Sequence, residues 1–230
     1  MYDVFFICYD EADREKNWQR VLEFHDTAQR IDNVKGIAQA HVQCNSLAQT
    51  EKFWTIDGDN WLLQRLKLNH WNEPLCDLLF FQAVDSIDKI ISTTGGVKLW
   101  RKDSIICGDM SKGDFCKNAT KESRVVPIIF SEHRYDATPY EAWRHSFRHM
   151  VKSYAGIITR DVLDSNIAVL GKHLVLNRYS YRGYLDAKQY VEECAGDFEK
   201  INLINDYDWL LSKAPQEVQP PFATAIHSRM

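Results

Sequence analysis

Blocks of apolar residues alternate with helix-like stretches through the first part of the chain. Val4-Phe5-Phe6-Ile7-Cys8 is a continuous apolar run, the pattern of a central strand covered on both faces. The polar loop Tyr9-Asp10-Glu11-Ala12-Asp13 follows, then a helical stretch from Arg14 to Phe24. Thr27 to Ile31 predicts a short second strand. Lys35-Gly36 opens a helix in which Ile37, Ala40, Cys44, Leu47 and Ala48 fall on one face at spacings of three and four. Phe53 to Ile56 predicts a third strand, ending in Asp57-Gly58-Asp59-Asn60. The order β-α-β-α-β implies a parallel sheet.

Further along, Leu78 to Val84 predicts a strand, Thr93-Thr94-Gly95-Gly96 a turn, and Val97-Lys98-Leu99-Trp100 a strand after it. Residues 109–124 are polar and read as a loop, and Val125 to Phe130 predicts a late strand. Thr138-Pro139-Tyr140-Glu141 is a helix start. It places Thr at the N-cap, Pro at the first helical position and Glu at the third, a capping box. That helix runs to Tyr154, with Tyr140, Trp143, Phe147, Met150, Val151 and Tyr154 as its apolar side. Another helix is expected from Asp186 to Phe198, on the face of Ala187, Tyr190, Val191, Cys194 and Phe198. The expected organisation is one domain over residues 1–214, with a β-α-β-α-β half (1–60) and a second half (61–214). An irregular tail over 215–230 follows, with Pro215, Pro220 and Pro221.

Length and composition fit this reading. A chain of 230 residues suits one domain. Aromatic residues make up 12% of it, enough to line a cleft as well as fill a core. The formal charge of −4 gives no global electrostatic case for nucleic acid, so such a contact needs a local patch. The six cysteines are scattered without a Cys-x-x-Cys pair, which argues for reduced thiols and against a zinc site. With no signal-like start and no apolar run of membrane-spanning length, a cytoplasmic protein without membrane contact is expected.

The chemistry concentrates at Asp57-Gly58-Asp59. Two carboxylates one residue apart at the end of a buried strand sit where open α/β sheets bind ligands. They can share one divalent cation, or hold a cation with one and a ribose with the other. Mg²⁺ and Mn²⁺ prefer oxygen ligands and complete their shells with substrate phosphates. The same four residues are also good turn chemistry. On the Thr138 helix, Arg144, Arg148 and Lys152 make a row of cations beside His145 and His149. An anion such as a diphosphate or a nucleic-acid backbone would justify that row, as would acids elsewhere on the protein. Before the helix, Glu132 and Asp136 offer an acid or base and Arg134 a charge stabiliser. No Walker loop, Gly-x-Ser-x-Gly elbow or Gly-x-Gly-x-x-Gly fingerprint is present.

Taken in order, these pieces resemble a glycosyltransferase of the GT-A fold, and more narrowly the small glycosyltransferases of tailed bacteriophages. The carrying segments are Val34-Lys35-Gly36-Ile37-x-x-Ala40-His41, Phe53-Trp54-x-x-Asp57-Gly58-Asp59, Gly95-Gly96-Val97-Lys98-Leu99-Trp100, Trp143-x-x-x-Phe147-Arg148-x-x-x-Lys152 and Ile204-Asn205-Asp206-Tyr207-Asp208-Trp209-Leu210. His41 stands where the family has Asn. The resemblance implies an α/β, Rossmann-like GT-A fold with a mixed, mostly parallel sheet flanked by helices. It implies transfer of a glucose- or arabinose-like sugar from a UDP-sugar, with Mn²⁺ or Mg²⁺. Tyr9 and Asp10 would lie near the nucleotide base, with Lys35 and His41 nearby. Asp57 would meet ribose or metal, Asp59 the metal, and Gly95 and Gly96 would border the acceptor. Phage relatives point to DNA carrying 5-hydroxymethylcytosine as the acceptor, which would give Arg144, Arg148 and Lys152 a purpose. Flipping the base out would expose its hydroxymethyl group. Asp136 is the first choice of base for an inverting reaction and Glu132 the second. A late histidine, His173 or His133, is a further candidate metal ligand. The other class left open is a nucleic-acid-binding accessory protein without turnover.

Overall fold

The computed structural model describes residues 2–67, 76–87, 89–92, 95–105, 115–157 and 177–220. The chain divides into two compact units, Met1–Arg134 and Tyr135–Met230.

The first unit is α/β. Its elements are β1 (Asp3–Cys8), α1 (Arg14–Phe24), β2 (Gln29–Asp32), α2 (Ile37–Leu47), β3 (Lys52–Asp57), β4 (Asn60–Leu62), β5 (Leu78–Asp85), β6 (Ile91–Ser92), β7 (Val97–Arg101), α3 (Phe115–Ala119) and β8 (Ser123–His133). The strands form one sheet in the order β2-β1-β3-β7-β5-β8-β4, with β6 paired to β5. The opening β-α-β-α-β lies parallel as expected. The rest corrects the expectation of a mostly parallel sheet. Beside the parallel pairs β1–β2, β1–β3 and β5–β8, the pairs β3–β7, β5–β7, β5–β6 and β4–β8 are antiparallel. The reason lies in the connection from β5 to β7. It carries no helix among its described residues, and a parallel return needs a crossover of a dozen or more.

The apolar strands are covered on both sides. Successive side chains of a strand point to opposite faces. Phe6, Trp54, Ile56, Phe81 and Phe130 therefore pack on one side with Val21 and Trp18 of α1. Phe5, Phe53, Leu78 and Trp100 pack on the other with Ala40 and Cys44 of α2 and Phe115 of α3. The inward face of α2 differs from the expected one. Ala40, His41 and Cys44 are buried, while Ile37 and Leu47 face solvent. The expected 109–124 loop is also corrected, because α3 occupies its second half and β8 begins at Ser123. Glu132 and His133 consequently belong to a strand.

The second unit is helical in its described residues: α4 (Pro139–Tyr154), α5 (Arg178–Cys194), α6 (Phe198–Asn202), a 3₁₀ turn (Leu203–Asn205) and α7 (Tyr207–Lys213). The Thr138 capping box forms as the sequence predicts, with Thr138 Oγ1 accepting from the Glu141 N–H at 3.1 Å. α5 starts eight residues earlier than Asp186, because the Asn177 side chain accepts from the Tyr179 and Ser180 N–H groups. It stops at Cys194, where Ala195 and Gly196 turn left-handed, so Phe198 falls into α6. The core gathers Trp143, Phe147, Tyr184, Tyr190, Ile204 and Leu210, and Val218 of the expected tail closes it. No helix of the described residues is long and apolar enough to cross a membrane.

Candidate functional site

β1 pairs with β2 on one edge and with β3 on the other, so the strand order reverses at β1. Ligands of open α/β sheets bind at such a reversal, beyond the carboxyl ends of the strands. Tyr9 and Asp10 follow β1, Lys35 follows β2, and Asp57 ends β3. Apart from His41, the sequence candidates for the nucleotide thus lie at the carboxyl ends of three adjacent strands. The His41 side chain is fully buried on α2, 5.0 Å from Trp100 and 4.9 Å from Phe115 between ring centroids. Its Nδ1 bonds the Ile37 carbonyl at 2.8 Å. Burial, reinforced by the nearby Lys98 charge, pushes it down to about 3. His41 is a neutral core residue, and its expected contact with the donor is corrected.

The Asp57-Gly58-Asp59 turn is held on every side. A Cβ on Gly58 would lie 2.7 Å from Glu11 Oε2 and 2.9 Å from Cys8 Cβ, so only glycine lets the turn approach the end of β1. The Glu11 carboxylate accepts the Tyr9 N–H at 2.8 Å. Asn17 of α1 donates to the Gly58 carbonyl at 2.8 Å. The Asp57 N–H donates to the Gly96 carbonyl at 3.0 Å, which puts the Gly95-Gly96 pair beside the turn. Gly96 packs so closely on Asn60 that a Cβ there would overlap the amide.

Each carboxylate has a basic partner. Lys98 Nζ donates to Asp57 Oδ2 at 2.7 Å. Asp57 Oδ1 is buried with no hydrogen-bond partner. Burial raises the Asp57 carboxyl above its ordinary range, against the pull of Lys98 and with repulsion from Asp59. Burial also disfavours the Lys98 charge, but the Asp57 carboxylate outweighs it and holds the ammonium protonated. Asp59 Oδ1 accepts from Asn60 Nδ2 at 2.7 Å, and Asp59 Oδ2 lies 3.0 Å from His133 Nε2. Burial works against a charge on His133, and the Asp59 carboxylate more than offsets it, so its pKa rises.

This donor set suits a hard divalent cation, since Asp57 Oδ1 is an acceptor in want of a partner and Asp59 adds a second carboxylate. Among the described residues no three His, Cys, Asp or Glu side chains form a cage by themselves. Mg²⁺ in particular usually keeps several waters and takes substrate phosphates instead. The basic partner on Asp59 is His133, and the alternative His173 lies outside the described residues.

The remaining candidates are engaged elsewhere. Glu132 accepts from Lys89 Nζ and from Arg134 Nε, each at 2.7 Å. Burial would raise its pKa, but these two cations hold it below the usual carboxylate range, which makes it a poor proton acceptor. The Arg134 guanidinium also lies 4.3 Å over the Trp61 ring. Asp136 is exposed at the start of the second unit. In the same unit Arg144 is buried, 4.9 Å over Tyr207. Arg148 donates to the Ile204 carbonyl at 2.9 Å and lies over the same ring. Two of the three cations expected to meet the acceptor thus pack within their own unit, and Lys152 is half-buried.

Lys98, Asn17 and Asn60 were not among the expected site residues. Lys98 had a readable signal, because a lysine inside an apolar strand is rarely buried unless it is paired. No family model matches this chain, and no curated protein matches it significantly.

Proposed function

We propose that this protein is a metal-dependent glycosyltransferase of the GT-A fold that moves a sugar from a UDP-sugar to an acceptor hydroxyl. The observation that carries the reading is the pair of carboxylates, Asp57 and Asp59, at the carboxyl end of β3 where the strand order reverses. A nucleotide diphosphate and its cation suit that position. Tyr9, Asp10 and Lys35 take the nucleoside side, and Gly95 and Gly96 border the acceptor. The glycosidic C–O bond to the diphosphate breaks as the acceptor oxygen bonds to the anomeric carbon. Mn²⁺ or Mg²⁺, when bound, would stabilise the charge on the leaving diphosphate. The acceptor proton needs a base in an inverting reaction: Asp136 is the candidate on its position just before α4, and Glu132, the second, is held by two cations.

The acceptor implied by the resemblance is a modified base such as 5-hydroxymethylcytosine in DNA. A saccharide or protein acceptor is the second reading. It is favoured by Arg144 and Arg148, which pack against Tyr207 and the Ile204 carbonyl, and by the net charge of −4.

Thermal melting with UDP, with and without Mn²⁺, tests the donor site. A Mn²⁺-dependent rise with UDP is expected in the native chain, several degrees at saturating ligand, and its loss in Asp59→Asn. Sugar transfer from a panel of UDP-sugars to hydroxymethylated DNA then tests the acceptor. No shift with any nucleotide sinks the enzyme reading. Salt-sensitive DNA binding in that case would identify an accessory protein.

A further inference from the structure

Lys98 sits behind the carboxylate turn with only 6% of its surface exposed, on β7 where Thr55 of β3 faces it across the strand pair. Its ammonium is bound to one oxygen of Asp57 at 2.7 Å, and the other oxygen of that carboxylate has no partner. Two carboxylates alone would cancel the charge of one divalent cation and leave the loaded turn neutral. Lys98 adds one positive charge to that turn, which Glu11 and His133 also border, from a side chain that is itself buried.

We infer that Lys98 is a positioning residue, an internal counter-cation that lowers the affinity of the turn for metal and raises its affinity for the nucleoside diphosphate. The inference rests on the donor-site reading above, and it predicts changes of opposite sign. Losing Lys98 frees Asp57 Oδ2 and removes a repulsive charge, so metal binds more tightly. The loaded turn loses one positive charge, so the diphosphate binds more weakly. A purely structural lysine would weaken both.

The test is Mn²⁺ titration by electron paramagnetic resonance, without nucleotide, followed by UDP titration at saturating Mn²⁺. Both use the full chain, as native protein and as Lys98→Met. The variant is expected to bind Mn²⁺ about tenfold more tightly and UDP about tenfold more weakly, the effect of one poorly screened charge. Unchanged or weaker Mn²⁺ binding overturns the inference while leaving the donor site standing. If native protein binds no Mn²⁺, the metal-dependent reading fails and the inference, which rests on it, fails with it.

Breaking the ion pair of a buried lysine costs stability. Lys98→Gln therefore serves if Lys98→Met does not fold, because its amide can still donate to Asp57 Oδ2 without the charge. The same opposite shifts in Mn²⁺ and UDP affinity are expected of it, and unchanged or weaker Mn²⁺ binding in that variant overturns the inference.

Discussion

His41 is neutral in the fold and titrates ordinarily in the unfolded chain. Its folded pKa of about 3 lies below the unfolded value of 6.5, so the unfolded state binds more protons between them. Stability from this group is complete above pH 6.5 and falls as pH drops from 6.5 toward 3. The slope approaches about 1.4 kcal/mol per pH unit for one proton. Urea unfolding of native protein and His41→Leu between pH 7 and 4 is the check. The variant is expected to lose about one proton of that slope, and equal slopes would place His41 in contact with solvent. The same residue shows how far the sequence could be read. Its helical position beside Ala40 and Cys44 was visible, but not that Trp100 and Phe115, 59 and 74 residues later, would close over it. Asp57 and Asp59 were legible because two carboxylates ended an apolar run. Lys98 became meaningful only once the antiparallel register of β3 and β7 placed it behind Asp57.

Elements were most legible where local chemistry alone decides them. The Thr138 cap, Pro139 at the first turn and the apolar stripe define α4 without reference to anything distant. The start of α5 was less legible because its arginines and tyrosines carry no strong stripe before Tyr184, and Asn177 alone marks the cap. The two helices meet at Gly183, where a Cβ would lie 2.5 Å from the Trp143 carbonyl oxygen and 2.9 Å from the Phe147 nitrogen. These are backbone atoms, so relief requires the helices to separate. Gly183→Ala is expected to destabilise the second unit by about 1–3 kcal/mol, despite the better helix propensity of alanine. Chemical denaturation followed by the fluorescence of Trp143 and Trp209, both in this unit, would register it. A neutral or stabilising effect would mean that the pair is not closely packed.

At the scale of the whole molecule, sheet topology and surface charge matter most. The β-α-β-α-β opening was readable because each helix between strands forces a parallel return, whereas the placement of β7 between β3 and β5 depends on long-range pairing that no local pattern encodes. Charge bears directly on the acceptor. With a net charge of −4, and with Arg144 and Arg148 serving the packing of their own unit, the expected cation row supplies little to displace counterions from DNA. Each phosphate neutralised adds about −0.9 to the slope of log affinity against log salt. If DNA is the acceptor, binding to hydroxymethylated duplex should show a shallow slope, about −2 or smaller in size, because recognition would rest on the flipped base. Fluorescence anisotropy from 50 to 300 mM salt measures it. A slope of about −5 or steeper would require a cationic surface larger than Lys152 and its neighbours supply. Binding that is absent at every salt concentration, alongside a working UDP site, would move the acceptor to a saccharide or a protein.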